Sequence, residues 1–180
     1  MKKDLSKIIE IPEGVEVSIE KGMINIKGKA GEVRRNFSLK GIIVEKTDNK
    51  VKLSFKKATK KEKKIMNTIA AHIKNMIQGV QEKYEYNLRI CNSHFPMNVE
   101  IKGKEAIIKN FLGERVARKT KILDNVDVDI DKDRITIKSA DCEAAGQTAA
   151  NLEKATWIRL RDRRIFQDGI FITSKPGREF

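Results

Sequence analysis

Cysteine and histidine are scarce, at two residues each in 180. Cys91 and Cys142 are far apart, and a disulfide framework would be out of place in the reducing compartment expected for this chain, so both read as small buried hydrophobes. The stretch "CNSH" at 91–94 sets one cysteine and one histidine at zinc-like spacing. The second pair that a closed site requires is missing, since His72 and Cys142 stand apart. No apolar run approaches the roughly 20 residues that span a bilayer, and the opening "MKKDLSKIIEIPEG" lacks the long apolar core of a secretory signal. A cytoplasmic protein is expected.

Catalytic and nucleotide signatures are missing too. There is no nucleophile elbow and no HExxH. "GMINIKGKA" separates Gly22 from Gly28 by five residues where a phosphate loop has four, and Ala30 stands where Ser or Thr should hold magnesium. "GKAG" at 28–31 satisfies the GxxG of a KH loop but follows a strand, and the stacking aromatics of an RRM are not found. The run "DNVDVDIDKD" puts Asp127, Asp129 and Asp131 at alternate positions. A calcium loop counted from Asp127 would need glycine and glutamate where Lys132 and Lys138 stand. On a strand the three aspartates share one solvated face while Val126, Val128 and Ile130 turn inward. The residues point to no enzyme, no metal and no cofactor.

Positive charge is abundant. Thirty-eight lysines and arginines face 25 acidic residues, for a formal net charge of +13, and a hydrophobic content of 39% still suits a globular core. Such an excess points to a polyanionic partner. It is densest in "RLRDRRIFQDGIF", which holds Arg159, Arg161, Arg163 and Arg164, with Lys175 and Arg178 beyond the apolar "GIFIT". A guanidinium fork suits two phosphate oxygens at once, and Asp162 and Asp168 are too few to neutralise the group. Phe166 and Phe171 read as core anchors.

The chain also repeats itself. "VEVSIEKGMINIKG" at 15–28 alternates apolar and polar residues around a turn at Lys21 and Gly22, and "MNVEIKGKEAIIKN" at 97–110 does the same. One constant shift aligns Val17 with Val99, Ile19 with Ile101, Ile26 with Ile108 and Glu32 with Glu114. A slightly longer one pairs the strands "NKVKLSF" and "DRITIKS". A helix follows each strand. In the first, Thr59 and Glu62 have capping-box spacing and Ile65, Met66, Ile69, Ile73, Met76 and Ile77 form the apolar stripe. The second starts at the N-cap Asp141 and buries Ala145, Thr148, Ala149 and Leu152. The expected fold is α+β: two tandem duplicated domains, each a small, mainly antiparallel sheet packed with one helix. "YEYNLRIC" reads as the last strand of the first half, ended by Pro96, so the domains are set at residues 1–92 and 93–180.

"INIKGKAGEVRRNF", "YEYNLRICNSHFPMNV", "IKNFLGE" and "RDRRIFQDGIF", in that order and spacing, resemble one ribosomal family across nearly the whole chain. It is the large-subunit protein family numbered six in the bacterial scheme, in its archaeal and eukaryotic branch; the bacterial branch has a different, glycine- and lysine-rich ending. The resemblance implies a duplicated protein that binds large-subunit ribosomal RNA near the sarcin-ricin loop and the factor-binding region. Contact is implied chiefly through the C-terminal domain, with other large-subunit proteins as neighbours and neither a membrane nor a small-molecule substrate. Matched position by position, it makes Arg159, Arg161, Arg163 and Arg164 RNA contacts, followed by Lys175 and Arg178. Arg115, Arg118, Lys119 and Lys121 of "NFLGERVARKTK" are secondary candidates, because strand alternation turns only some of them outward. The alternatives are a free RNA-binding module or chaperone outside the ribosome, and a metal-dependent nuclease using Asp127, Asp129 and Asp131.

Overall fold

The computed structural model describes residues 3–20, 22–37, 42–47 and 49–180. The chain divides into two compact units, Met1–Lys83 and Tyr84–Phe180. In the first unit the strands are β1 (Lys3–Glu10), β2 (Glu16–Glu20), β3 (Met23–Gly28), β4 (Gly31–Asn36), β5 (Ile42–Thr47) and β6 (Lys50–Ala58), followed by helix α1 (Lys60–Gln81). They form two antiparallel sheets, ordered β2-β3-β4 and β1-β6-β5. The expected hairpin is present, with Glu20 opposite Met23. Gly22 takes a φ of 83° in its turn, and Lys21 lies outside the described residues.

Period-2 alternation buries Val17, Ile24, Ile26, Val51 and Leu53, and α1 packs on strands of both sheets. Its start is fixed by a capping box, in which the Glu62 carboxylate accepts from the Thr59 N–H at 2.7 Å. Met66, Ile69, Ile73, Met76 and Ile77 are buried as expected, whereas Ile65 is 39% exposed. At about 100° of rotation per residue Ile65 falls at the edge of the buried stripe, one turn before Ile69 and just outside Met76, so it is only partly covered. Where the end of β3 meets the end of α1, a Cβ on Gly28 would lie 2.7 Å from the Val80 carbonyl oxygen. Glycine there lets the Ala30 N–H reach that same oxygen, at 2.7 Å.

The second unit repeats this plan and adds to it. Its elements are β7 (Tyr84–Cys91), β8 (Asn98–Lys102), β9 (Glu105–Lys109), β10 (Arg118–Lys121), β11 (Asp127–Asp131), β12 (Arg134–Ser139), helix α2 (Cys142–Ala155), β13 (Gly169–Lys175) and β14 (Arg178–Glu179). The sheet β8-β9-β10 corresponds to β2-β3-β4. The sheet β1-β6-β5 recurs as β7-β12-β11, extended on the free edge of β7 into β11-β12-β7-β13-β14. Strand β7 is therefore the first strand of the second unit, not the last of the first, and the division falls between Lys83 and Tyr84 instead of at Asn92. Its alternation identifies a half-buried strand but carries no information about which sheet supplies its partners. Those partners are β12, with Leu88 opposite Ile135, and β13, with Ile90 opposite Ile170.

Among the described residues each unit thus holds two sheets on one helix, one more than expected. In the second, Asp141 accepts from the Glu143 N–H at 2.9 Å to cap α2, which buries Ala145, Thr148, Ala149 and Leu152 as predicted. These small residues bring α2 onto Leu88, Ile108, Ile135, Ile137 and Ile170. Cys91 and Cys142 are free and only partly buried, short of the full burial expected.

Because β7 is the middle strand of the extended sheet, a fragment spanning 84–180 should unfold cooperatively in scanning calorimetry, and one spanning 93–180 should not. Loss of Leu88 and Ile90 alone removes ~3–6 kcal/mol of apolar burial, against a total of roughly 5–15 kcal/mol for a domain. A cooperative transition in the shorter fragment would restore the later boundary.

Candidate nucleic-acid interface

The four arginines lie on the loop 156–168 between α2 and β13, and both ends of that loop are tied down. At the near end, buried Thr156 donates its hydroxyl to the Glu153 carbonyl at 3.1 Å and accepts from the Ile170 N–H at 2.9 Å. The end of α2 is thereby joined to the start of β13. At the far end the Asp168 side chain, 4% exposed, accepts from the backbone N–H groups of Ser93 and His94 at 2.7 and 2.9 Å. Its second oxygen meets His94 Nδ1 at 2.6 Å. Burial pushes this carboxyl up, but the donors of His94 and Ser93 outweigh it and hold it below its ordinary value. The His94 ring stacks on Phe166, centroids 4.7 Å apart, and the Arg161 guanidinium lies 4.8 Å from the Phe166 centroid.

Gly169 follows with a φ of 153°, and a Cβ there would meet the Phe171 ring at 3.2 Å and Thr156 Oγ1 at 3.4 Å. Only glycine passes this point without strain.

The candidate residues fare unequally. Arg159, Arg161, Arg163 and Arg164 are all exposed on one loop. Asp162 accepts from both the backbone and the guanidinium of Arg164, at 2.9, 3.2 and 2.9 Å, which lowers the carboxyl and occupies part of that guanidinium. Arg159, Arg161 and Arg163 have no ion-paired or hydrogen-bonded carboxylate among the described residues, although Arg161 is near enough to Glu114 to help lower its carboxyl. Arg163 lies 5.4 Å from the Trp157 ring centroid. Lys175 and Arg178 face each other across the β13–β14 pair, and both lie over Phe180, at 4.9 and 4.7 Å.

Among the secondary candidates, Arg115 and Lys121 are exposed, as is Lys119 with Glu105 at 4.0 Å. Arg118 is engaged internally. Its guanidinium forks onto Glu114 at 2.8 and 2.6 Å, donates to the Ala155 carbonyl at 2.7 Å and sits 4.2 Å from the Phe111 centroid. It fastens β10 to the end of α2, directly beneath the basic loop. Phe171, expected in the core, stands opposite Arg89 on the open sheet face and is 43% exposed, while Ile170 is fully buried. Alternation separates two faces without telling which one is covered. Phe166 is half-buried and anchors the loop to His94 rather than entering the core.

Asp127, Asp129 and Asp131 are exposed along β11, with Lys138 opposite Asp127 and Arg134 opposite Asp131. Among the described residues no group of His, Cys, Asp or Glu is arranged to hold a metal. No described helix is long and apolar enough to cross a membrane. Sequence reasoning missed Trp157, the His94–Asp168 pair and the bracing role of Arg118. The proximity of "HFP" to "QDGI" in the fold gives the pair away only once β7 and β13 are known neighbours.

The second unit thus carries a braced, arginine-rich loop on the α+β scaffold that both units share. The family model described as Ribosomal protein L6 matches residues 11–83 and 95–169, one stretch in each unit. The chain is 44% identical over 168 residues to the large ribosomal subunit protein uL6 of Methanocella arvoryzae, covering 93% of this chain and 95% of that one. The uL6 proteins of Archaeoglobus fulgidus and Methanobrevibacter smithii are 41% and 44% identical, with 94% and 93% of this chain covered and 89% and 94% of theirs. The chain belongs to the ribosomal protein L6 family, whose members are structural proteins and not enzymes.

Replacing Asp168 with Asn should destabilise the second unit by roughly 1–3 kcal/mol at neutral pH, the usual cost of mispairing buried hydrogen-bonding groups. The folded pKa is depressed, so the contribution of the carboxylate is present above its unfolded value and is lost as pH falls through the folded one. Chemical denaturation at neutral pH and below about pH 4 checks this: the gap between Asp168→Asn and the unmodified protein should narrow in acid. A gap that stays constant would show that the charge is not what holds the loop.

Proposed function

We propose that this protein, a structural constituent of the large ribosomal subunit by family, binds large-subunit ribosomal RNA mainly through its second unit, near the sarcin-ricin loop and the factor-binding region. It works in the cytoplasm as part of the ribosome, with ribosomal RNA and other ribosomal proteins as partners. One observation carries the reading: three arginines that no carboxylate ion-pairs or hydrogen-bonds, Arg159, Arg161 and Arg163, stand on a loop braced at both ends. A braced loop gives up little conformational entropy on docking, so its charge is converted into affinity more fully than that of a free basic tail. Lys175 and Arg178 on the adjoining hairpin extend the cationic edge, with Arg115, Lys119 and Lys121 outside it. Arg164 contributes less because of Asp162, and Arg118 serves as a support.

Replacing Arg159, Arg161 and Arg163 together with Gln should weaken binding of the full-length protein to a sarcin-ricin-region RNA by at least about tenfold, or ~1.4 kcal/mol. The slope of log affinity against log salt should flatten by ~0.7–0.9 for each phosphate contact removed. The same change at Lys61, Lys63 and Lys64, exposed on α1 of the first unit, is the charge-matched comparison. Equal losses for the two triples would reduce the loop to generic positive charge and overturn the assignment.

A further inference from the structure

A cleft of about 680 Å³ opens in the second unit beside the basic loop. Its walls come from the end of β7, the turn before β12, the end of α2 and the start of β13. Trp157, 49% exposed, and Phe171 supply flat apolar surface. Arg163 lies over the indole and extends that surface, because a guanidinium plane stacks on a base as an aromatic ring does. Four charged side chains in the cleft have no ion-pair or hydrogen-bond partner in the described structure: Arg89, Arg163, Asp133 and Glu153. They do not pair with one another either. Two cations, of which Arg163 already lies at the indole, two acceptor-only groups and a stacking surface therefore face the same space.

That combination selects a ligand. The stacking surface fits a planar ring. Arg89 fits one phosphate. The two carboxylates repel further phosphate and can only accept, so they suit a donor-rich base edge: an exocyclic amino group offers two N–H donors, where uracil offers only its ring N3–H. We propose that this cleft receives one unstacked nucleotide of the bound RNA, carrying an amino-bearing base, with the base against Trp157 and Arg163 and its phosphate on Arg89. The proposal rests on the reading of the second unit as RNA-binding and adds a base-recognising site to a surface otherwise described by phosphate contacts.

Trp157 is the only tryptophan of the chain; it lines this cleft and a smaller one beside Arg118 and Arg159, so its quenching is read together with Arg89→Gln, a change in the larger cleft only. The full-length protein is titrated with three five-nucleotide RNAs of uridines whose central residue is adenosine, uridine or an abasic ribose. Backbone charge is the same in all three, so differences between them read the base. The adenosine oligomer should quench Trp157 saturably and bind at least about fivefold more tightly than the abasic one, near the lower end of what a base–aromatic stack contributes. The uridine oligomer should fall between them. Arg89→Gln should weaken all three alike, and Glu153→Ala should lower only the preference for adenosine over uridine. Both residues have exposed or partly exposed side chains, and an unchanged melting temperature verifies the fold.

Equal binding and quenching by the three oligomers would overturn the cleft proposal, as would quenching that never saturates. If the Arg159, Arg161 and Arg163 triple still loses ribosomal RNA in that event, the cleft fails while the RNA-binding reading survives. If the triple loses nothing as well, both fail.

Discussion

The basic edge of the second unit depends on where the Asp168 carboxylate is held. It is almost wholly buried in a chain with a large positive excess, and it accepts two backbone N–H groups and the His94 ring. Hydrogen bonds to a charged acceptor contribute about 1.5–3 kcal/mol each, roughly twice the neutral kind. They join the segment leaving β7 to the first residue before β13, so β13 starts in register beside β7. Thr156 makes a second tie from the end of α2, and Arg118 a third from β10. The arginine loop is then a short span between fixed points.

The duplication explains why this edge exists in one unit only. In both units an antiparallel trio, β1-β6-β5 or β7-β12-β11, is covered by one helix. The outer edge of the first strand of each trio is a row of backbone groups open to unwanted pairing. In the second unit β13 pairs with that edge, and the chain can reach it only by way of the connection after α2. In the first unit, α1 runs 22 residues against 14 for α2, and two residues later the chain enters β7. The basic loop is the crossing that the additional strand requires, and its charge is placed where the fold had to spend residues anyway.

Local signals in the sequence carried far for the same reason that the repeat is visible: alternation, caps and helical stripes are short-range. They located the β2–β3 hairpin, Thr59 with Glu62, Asp141 and the small buried face of α2. Where they stopped was at long-range choices. Nothing in "YEYNLRIC" tells which sheet claims it, and nothing in "GIFIT" tells which face α2 covers, so alternation alone places neither β7 in its unit nor Phe171 on its face. The site divides the same way. The arginine cluster could be read from composition, but the capture of Arg164 by Asp162, of Arg118 by Glu114 and Ala155, and of Asp168 by His94 depends on chain crossings that no window of sequence contains.

Aromatic rings settle how the remaining charge is presented. Arg161 lies over Phe166, itself stacked on His94, and Arg163 lies over Trp157. Contact of this kind is worth about 0.5–1 kcal/mol at exposed sites, too little to decide the fold but enough to restrict long, flexible side chains. A guanidinium that lays its flat face on a ring keeps its N–H rim free, and the rim is the part that forks onto phosphate oxygens. Lysine at these positions would keep the charge and lose that division of labour, since an ammonium has no face to spare. Arginine is therefore required by the packing of the loop as much as by its partner, and the rings that hold it in place are also the walls of the cleft beside it.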